Sequence, residues 1–195
     1  MRVPDVKVTL VERDAELATI AGENINRNGL AERVNAVTLD VTATADSFAA
    51  LGIGPGSADH ILMNPPFNNP SRQNVSPDPD RRAAHAAGEG MLAAWIDAAA
   101  WVLHSAGALT LIWRADGLAE VLAALGDRFG DVAILPVHGR GGQPAIRVLL
   151  RARKGSRAPL VLLPGLMLND ENGKPTAAAE AVLRNAEALP FAVDQ

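Results

Sequence analysis

Between residues 6 and 152, short β-branched apolar runs alternate with longer segments whose apolar residues recur at helical spacing. That alternation confines the chain to an α/β architecture. Residues 6–11, 34–39, 58–63, 108–113, 132–137 and 146–152 read as strands, and their near-continuous apolar character fits a mostly parallel sheet covered on both faces. Asp14 is placed to cap a helix with Leu17, Ile20, Ala21 and Ile25 on one face, closed by Asn28-Gly29. Residues 42–56 hold a short helical stretch and the turn Gly52-Ile53-Gly54-Pro55-Gly56, and the polar stretch 68–80 reads as a loop. A helix over 89–104 carries Leu92, Trp95, Ile96, Ala99, Val102 and Leu103 and is broken by Gly107, and Asp116 is placed to cap one with Leu118, Val121, Leu122 and Leu125. Only the turn 139–144 separates the last two strands, too little for a crossover, so they form an antiparallel hairpin. Residues 1–154 thus form the main domain, and 155–195 a tail with an apolar patch at 160–168 and a helix capped by Thr176.

With 48% hydrophobic and 21% charged residues the chain is too apolar for intrinsic disorder. The absence of cysteine excludes disulfides and thiolate metal sites and fits a cytoplasmic location. The longest apolar stretch, 92–103, is interrupted by Asp97 and falls short of the roughly 18 residues of a membrane span. Met1-Arg2-Val3-Pro4-Asp5 carries no export signal. A net charge of −4 argues against a general polyanion binder, yet residues 132–169 hold six cations and no acid: Arg140, Arg147, Arg151, Arg153, Lys154 and Arg157. A phosphate backbone would settle there; equally, a basic strand merely balances an acidic remainder.

The chemistry concentrates in Asp59-His60-Ile61-Leu62-Met63-Asn64-Pro65-Pro66-Phe67. Ligands of open α/β sheets bind beyond the carboxyl ends of the strands, where Asn64 falls. Proline biases the residue before it toward extended backbone and removes its own N–H, so the segment is a stiff tip rich in acceptors. The Asn64 side-chain oxygen and the Pro65 carbonyl are suited to accept the two hydrogens of a planar NH₂ group, returning its lone pair to the reacting direction. Phe67 offers a face for stacking. A plain turn after a strand explains neither the second proline nor the aromatic. Glu12, ending the first strand, is placed to accept hydrogen bonds from ribose hydroxyls.

Asn64-Pro65-Pro66-Phe67 resembles the motif of class I S-adenosylmethionine-dependent methyltransferases acting on planar nitrogens, the adenine amino group or a glutamine amide. The resemblance implies a Rossmann-like sheet and S-adenosylmethionine as cofactor. It assigns Glu12, Asp40, Val41 and Asn64 to cofactor binding, with Asp40 on the cofactor's adenine amino group and Val41 against its ring. Asn64, Pro65, Pro66 and Phe67 become the catalytic tip. Downstream, His85, Gly107 to Ile112, Pro136-Val137-His138, Pro144 to Leu149 and Leu163-Pro164-Gly165-Leu166 look like the bacterial branch that methylates adenine N6 in valine-accepting tRNA. The implied partner is RNA, with Phe67, Arg72, Arg81, Arg82, Arg140 and Arg147 as its contacts, no membrane, and a homodimer as one available assembly. No residues have metal-ligand spacing, and none is assigned to a metal.

The family pattern opens with a strand and a glycine-rich turn, its acidic partner about 20 residues further on. Here 11 residues precede Glu12. The chain is therefore expected to lack that first strand and loop, leaving exposed strand edges, and the 52–56 turn is a decoy preceding the wrong strand. Two alternatives stand beside RNA methylation. One is methylation of a glutamine amide in a release factor, whose enzymes usually carry Tyr after the prolines and a separate N-terminal helical domain. The other is a remnant that binds RNA or a partner without cofactor or chemistry.

Overall fold

A computed structural model describes residues 5–66 and 79–189, with side chains from residue 90 onward in the second span. The chain divides into two compact units, Met1–Gly54 and Pro55–Gln195. The first contains β1 (Val8–Glu12), α1 (Ala15–Arg27), β2 (Val34–Thr38) and α2 (Ala45–Ala49). β1 and β2 pair in parallel, from Val8 opposite Val34 to Glu12 opposite Thr38. Asp14 caps α1 as expected, accepting from the Glu16 and Leu17 N–H groups at 2.8 and 3.2 Å. Of the helix's predicted apolar face, Ile25 is buried, but Leu17 and Ile20 remain 53% and 51% exposed. Two paired strands are too narrow to cover a whole helix face.

The second unit contains β3 (Ala58–Met63), α3 (Pro79–Val102), β4 (Leu103–Arg114), α4 (Leu118–Leu125), β5 (Phe129–Arg140), β6 (Ala145–Lys154), β7 (Val161–Leu162), β8 (Leu166–Asn169) and α5 (Ala177–Leu183). Its sheet runs β3-β4-β6-β5-β7, with β8 also on β5. β3 and β4 are parallel, β6 is antiparallel to both β4 and β5, and β7 and β8 run parallel to β5. The expected hairpin is therefore β5–β6. The main core is built from alternate strand residues, Leu109, Leu111, Trp113, Val148, Leu150 and Ile134 among them, packed with Leu92 and Ile96 of α3 and Val121 and Leu125 of α4. Ala133 and Leu135 face the other way and meet Leu149, Leu163 and Leu189.

Three local expectations are corrected. α3 starts at Pro79, not near residue 89: proline suits a first helical position, and the alanine-rich stretch after it favours helix without apolar periodicity. Gly107 does not end the helix, which stops at Val102; it lies buried inside β4, where a Cβ would come within 3.0 Å of the His104 carbonyl oxygen. Asp116 does not cap α4, whose N-cap is Gly117; its carboxylate meets Arg114 at 3.4 Å instead. Thr176 does cap α5, accepting from the Ala179 N–H at 3.1 Å, and the apolar patch before it supplies β7 and β8.

β1 pairs only with β2 and β3 only with β4 among the described residues, so the strands form two sheets, each with an open parallel edge. Leu62 on β3 is 80% exposed. These are the exposed edges expected from the sequence. The turn carrying Gly52 and Gly56 leads into β3 and opens no helix.

Candidate active site

β3 ends at Met63, and the next three residues form the tip. Pro65 is among the fully buried residues, while Asn64 and Pro66 on either side are exposed. Pro65 anchors the turn in the protein and leaves Asn64 standing at the sheet's carboxyl rim. The Asn64 amide is open to solvent, the placement that an acceptor for an incoming amine requires. Phe67 and Arg72 lie outside the described residues. Arg81 and Arg82 fall on α3, where their side chains also lie outside them.

The strands beside β3 bring further charge to this rim. β4 and β5 run parallel to β3 and end at Arg114 and Arg140, and antiparallel β6 begins there with Ala145. Arg147 lies between Arg114 on one side and Val137 on the other. Strands lie about 4.8 Å apart, which puts Arg147 two strands, roughly 10 Å, and Arg140 three strands, roughly 14 Å, from the strand bearing Asn64.

Several cations of this sheet have structural work. Arg114 meets Asp116 at 3.4 Å and Glu120 at 3.2 Å. At the other end of β6, Arg153 meets Asp131 at 3.1 Å and Lys154 donates to the Leu103 carbonyl at 2.6 Å. The basic run of the sequence is thus split, and only Arg140 and Arg147 share the rim of Asn64.

In the first unit Glu12 is the last residue of β1 and Asp40 lies two residues beyond the end of the adjacent parallel β2. Glu12 Oε1 accepts the Asp14 N–H at 2.8 Å. Asp40 Oδ1 accepts both the Thr42 hydroxyl at 2.7 Å and the Thr42 N–H at 2.8 Å. The Thr42 hydroxyl, then its N–H, and to a smaller extent the Arg13 charge, hold the Asp40 carboxyl below its ordinary range against a slight opposing effect of burial. Each carboxylate uses one oxygen to fix its own turn, and the second has no partner among the described residues. Two oriented acceptors suit a ligand that presents donors, as a ribose diol and an adenine amino group do. Val41 beside them is half-buried.

Thr42 was not picked out from the sequence, although Asp followed two residues later by Thr is the local signal of a side-chain-closed turn. No group of three or more His, Asp or Glu able to hold a metal occurs among the described residues, and no described helix is long and apolar enough to cross a membrane.

No family model matches the chain. A release factor glutamine methyltransferase of Chlorobaculum tepidum is 30% identical over 141 residues, 69% of this chain and 47% of the relative. The chain thus spans about half the length of that curated relative. Among solved structures, a predicted O-methyltransferase, protein Atu636 from Agrobacterium tumefaciens, superposes with a TM-score of 0.79 at 29% identity, covering 96% of this chain and 82% of that one. TrmN from Thermus thermophilus shares the fold, with a TM-score of 0.53 at 16% identity over 78% of this chain and 37% of its own.

Proposed function

We propose that this chain, whose fold is that of the class I S-adenosylmethionine-dependent methyltransferases, transfers a methyl group to a planar amino nitrogen, the exocyclic N6 of an adenine in RNA, with tRNA as the substrate class. The observation that carries the reading is the exposed Asn64 held at the sheet rim by a buried Pro65. S-adenosylmethionine, when bound, supplies an electrophilic methyl on a sulfonium. Glu12 would hold the cofactor's ribose hydroxyls and Asp40 its adenine amino group, with Val41 on the ring. Asn64 and the Pro65 carbonyl accept the two amine hydrogens, which localises the nitrogen lone pair and orients it. Catalysis then rests on positioning and fixed acceptors, without a strong base. A loop adenine reaches such a tip more readily than one stacked in a stem, and Phe67 serves as its platform. Arg72, Arg81, Arg82, Arg140 and Arg147 take the RNA backbone.

A glutamine amide presents the same planar NH₂, and the likeness to the Chlorobaculum tepidum protein favours it as the second reading. Incubating the chain with radiolabelled cofactor and either bulk tRNA or a release factor separates them. Label recovered as N6-methyladenosine supports the proposal, whereas label only on the protein overturns it in favour of the amide. Calorimetric titration showing no cofactor binding by folded chain would overturn both.

A further inference from the structure

We infer that Asn172 is a site of spontaneous modification, at which the side-chain amide closes onto the Gly173 nitrogen and is replaced by a carboxylate. Glycine favours this step, because without a Cβ its nitrogen can approach the preceding side chain closely. Asparagine precedes glycine twice in the chain, at Asn28-Gly29 and Asn172-Gly173. The Gly173 nitrogen gives its proton to hydroxide and attacks the Asn172 Cγ. The new C–N bond displaces the amide nitrogen, which leaves as ammonia, and a cyclic imide remains. Water then opens the imide at either carbonyl. Opening at Cγ gives aspartate, and opening at the backbone carbonyl gives isoaspartate, with the chain rerouted through the former side chain.

The structure separates the two asparagines. Both are exposed, and the attacking nitrogens are bonded alike: the Gly29 N–H donates to the Asn26 carbonyl and the Gly173 N–H to the Asp170 carbonyl, each at 3.0 Å. The amides differ. Asn28 closes α1, its side chain donating to the Asn24 carbonyl at 2.8 Å and its N–H to the same oxygen at 3.1 Å, while the Leu30 N–H returns to the Ile25 carbonyl at 3.0 Å. To react, that amide must leave its bond and the helix end must open. The turn holding Asn172 is closed by the Lys174 N–H on Asp170 Oδ1 and the Asp170 N–H on the Lys174 carbonyl, both at 2.8 Å. Neither bond engages the Asn172 side chain, which has no partner among the described residues. The product carboxylate arises one residue from Gly173, where a Cβ would come within 3.3 Å of Arg140 Nη2. Consecutive Cα atoms lie about 3.8 Å apart, so the new charge falls within reach of Arg140, which has no ion pair among the described residues.

The test is a timed incubation of the full chain in mildly alkaline buffer, followed by peptide mass mapping. The peptide holding Asn172 should gain the mass of an amide-to-acid exchange and split into two chromatographic forms, aspartyl and isoaspartyl. The Asn28 peptide should change about five times more slowly or less, the factor that one retained neutral hydrogen bond is worth. In denaturant that difference should disappear, and Asn172→Gln should stop the mass gain because the larger ring closes slowly. An unchanged Asn172 peptide, or equal rates at the two sites in folded chain, overturns the assignment. The consequence for Arg140 rests on the RNA reading and has its own arm. Asn172→Asp should lower the slope of log RNA affinity against log salt by up to about 0.7, one phosphate contact on a single strand, and in an Arg140→Gln background it should change nothing. An unchanged slope overturns the consequence for Arg140 and leaves the modification standing. Failure of every RNA to accept label overturns the RNA reading and that consequence with it, but not the modification, whose mass map uses no RNA.

Discussion

Arg114 and Arg147 stand directly opposite each other across the antiparallel β4–β6 ladder. Like charges so placed repel, and the pair is tolerated because Asp116 and Glu120 hold the Arg114 guanidinium. Glu120 is the more shielded of the two carboxylates, with about a quarter of its side chain exposed. Glu120→Gln should lower stability by about 1 kcal/mol in urea unfolding. The loss should shrink in 1 M salt, which screens the repulsion it unmasks. A loss independent of salt would show that the arginines do not repel.

Asn64→Ala should abolish methyl transfer and leave cofactor affinity largely intact, because its main role is to accept from the acceptor amine. Single-turnover assays and calorimetric titration with S-adenosylmethionine check the two halves separately. Transfer at the normal rate would remove Asn64 from the mechanism.

Asp40 carries a pH signature. Its carboxyl titrates below the ordinary value of 3.8 in the folded protein, so the stability it contributes is complete above that value and is lost as pH falls through the lowered one. Thr42→Val removes the first cause, the hydroxyl donor, and should move the Asp40 titration back up toward 3.8, as followed by carboxyl NMR. An unmoved titration would mean that Thr42 does not set it.

Among the described residues, Gly130 is the glycine with least room to change. A Cβ there would come within 2.3 Å of the Ser156 carbonyl oxygen, a backbone atom that no side-chain rotation relieves. Gly130→Ala should destabilise by about 2 to 3 kcal/mol, the upper range of overpacking costs, and thermal or urea unfolding reads it directly. A near-neutral result would show that the 155–158 segment gives way.

Much of this was legible in the sequence because the signals were local. Asp14 and Thr176 cap their helices by hydrogen bonds two or three residues away, and the turn before β6 was too short for anything but a hairpin. Asn64 announced itself through the prolines after it. Other features depended on partners far along the chain. Asp116 is a different case: its carboxylate goes to Arg114 just two residues earlier, and Gly117 takes the cap position, a choice between two local partners. Leu17 and Ile20 looked buried because periodicity records which face is apolar, and not whether enough sheet lies under it. The six-cation run looked like one patch, yet β6 carries its two ends to opposite rims, and only pairing register reveals that Arg140 and Arg147 fall at the rim where Asn64 stands, two and three strands away.

β6 sits in the middle of its sheet although it is made after both of its neighbours. During synthesis β4 and β5 leave the ribosome before the strand that joins them, so this sheet cannot close until residue 154 has emerged. Up to that moment their facing edges are open to wrong partners. A nascent chain from which residue 145 has yet to emerge should therefore be a substrate for chaperones, and once residue 154 has emerged it should cease to be one.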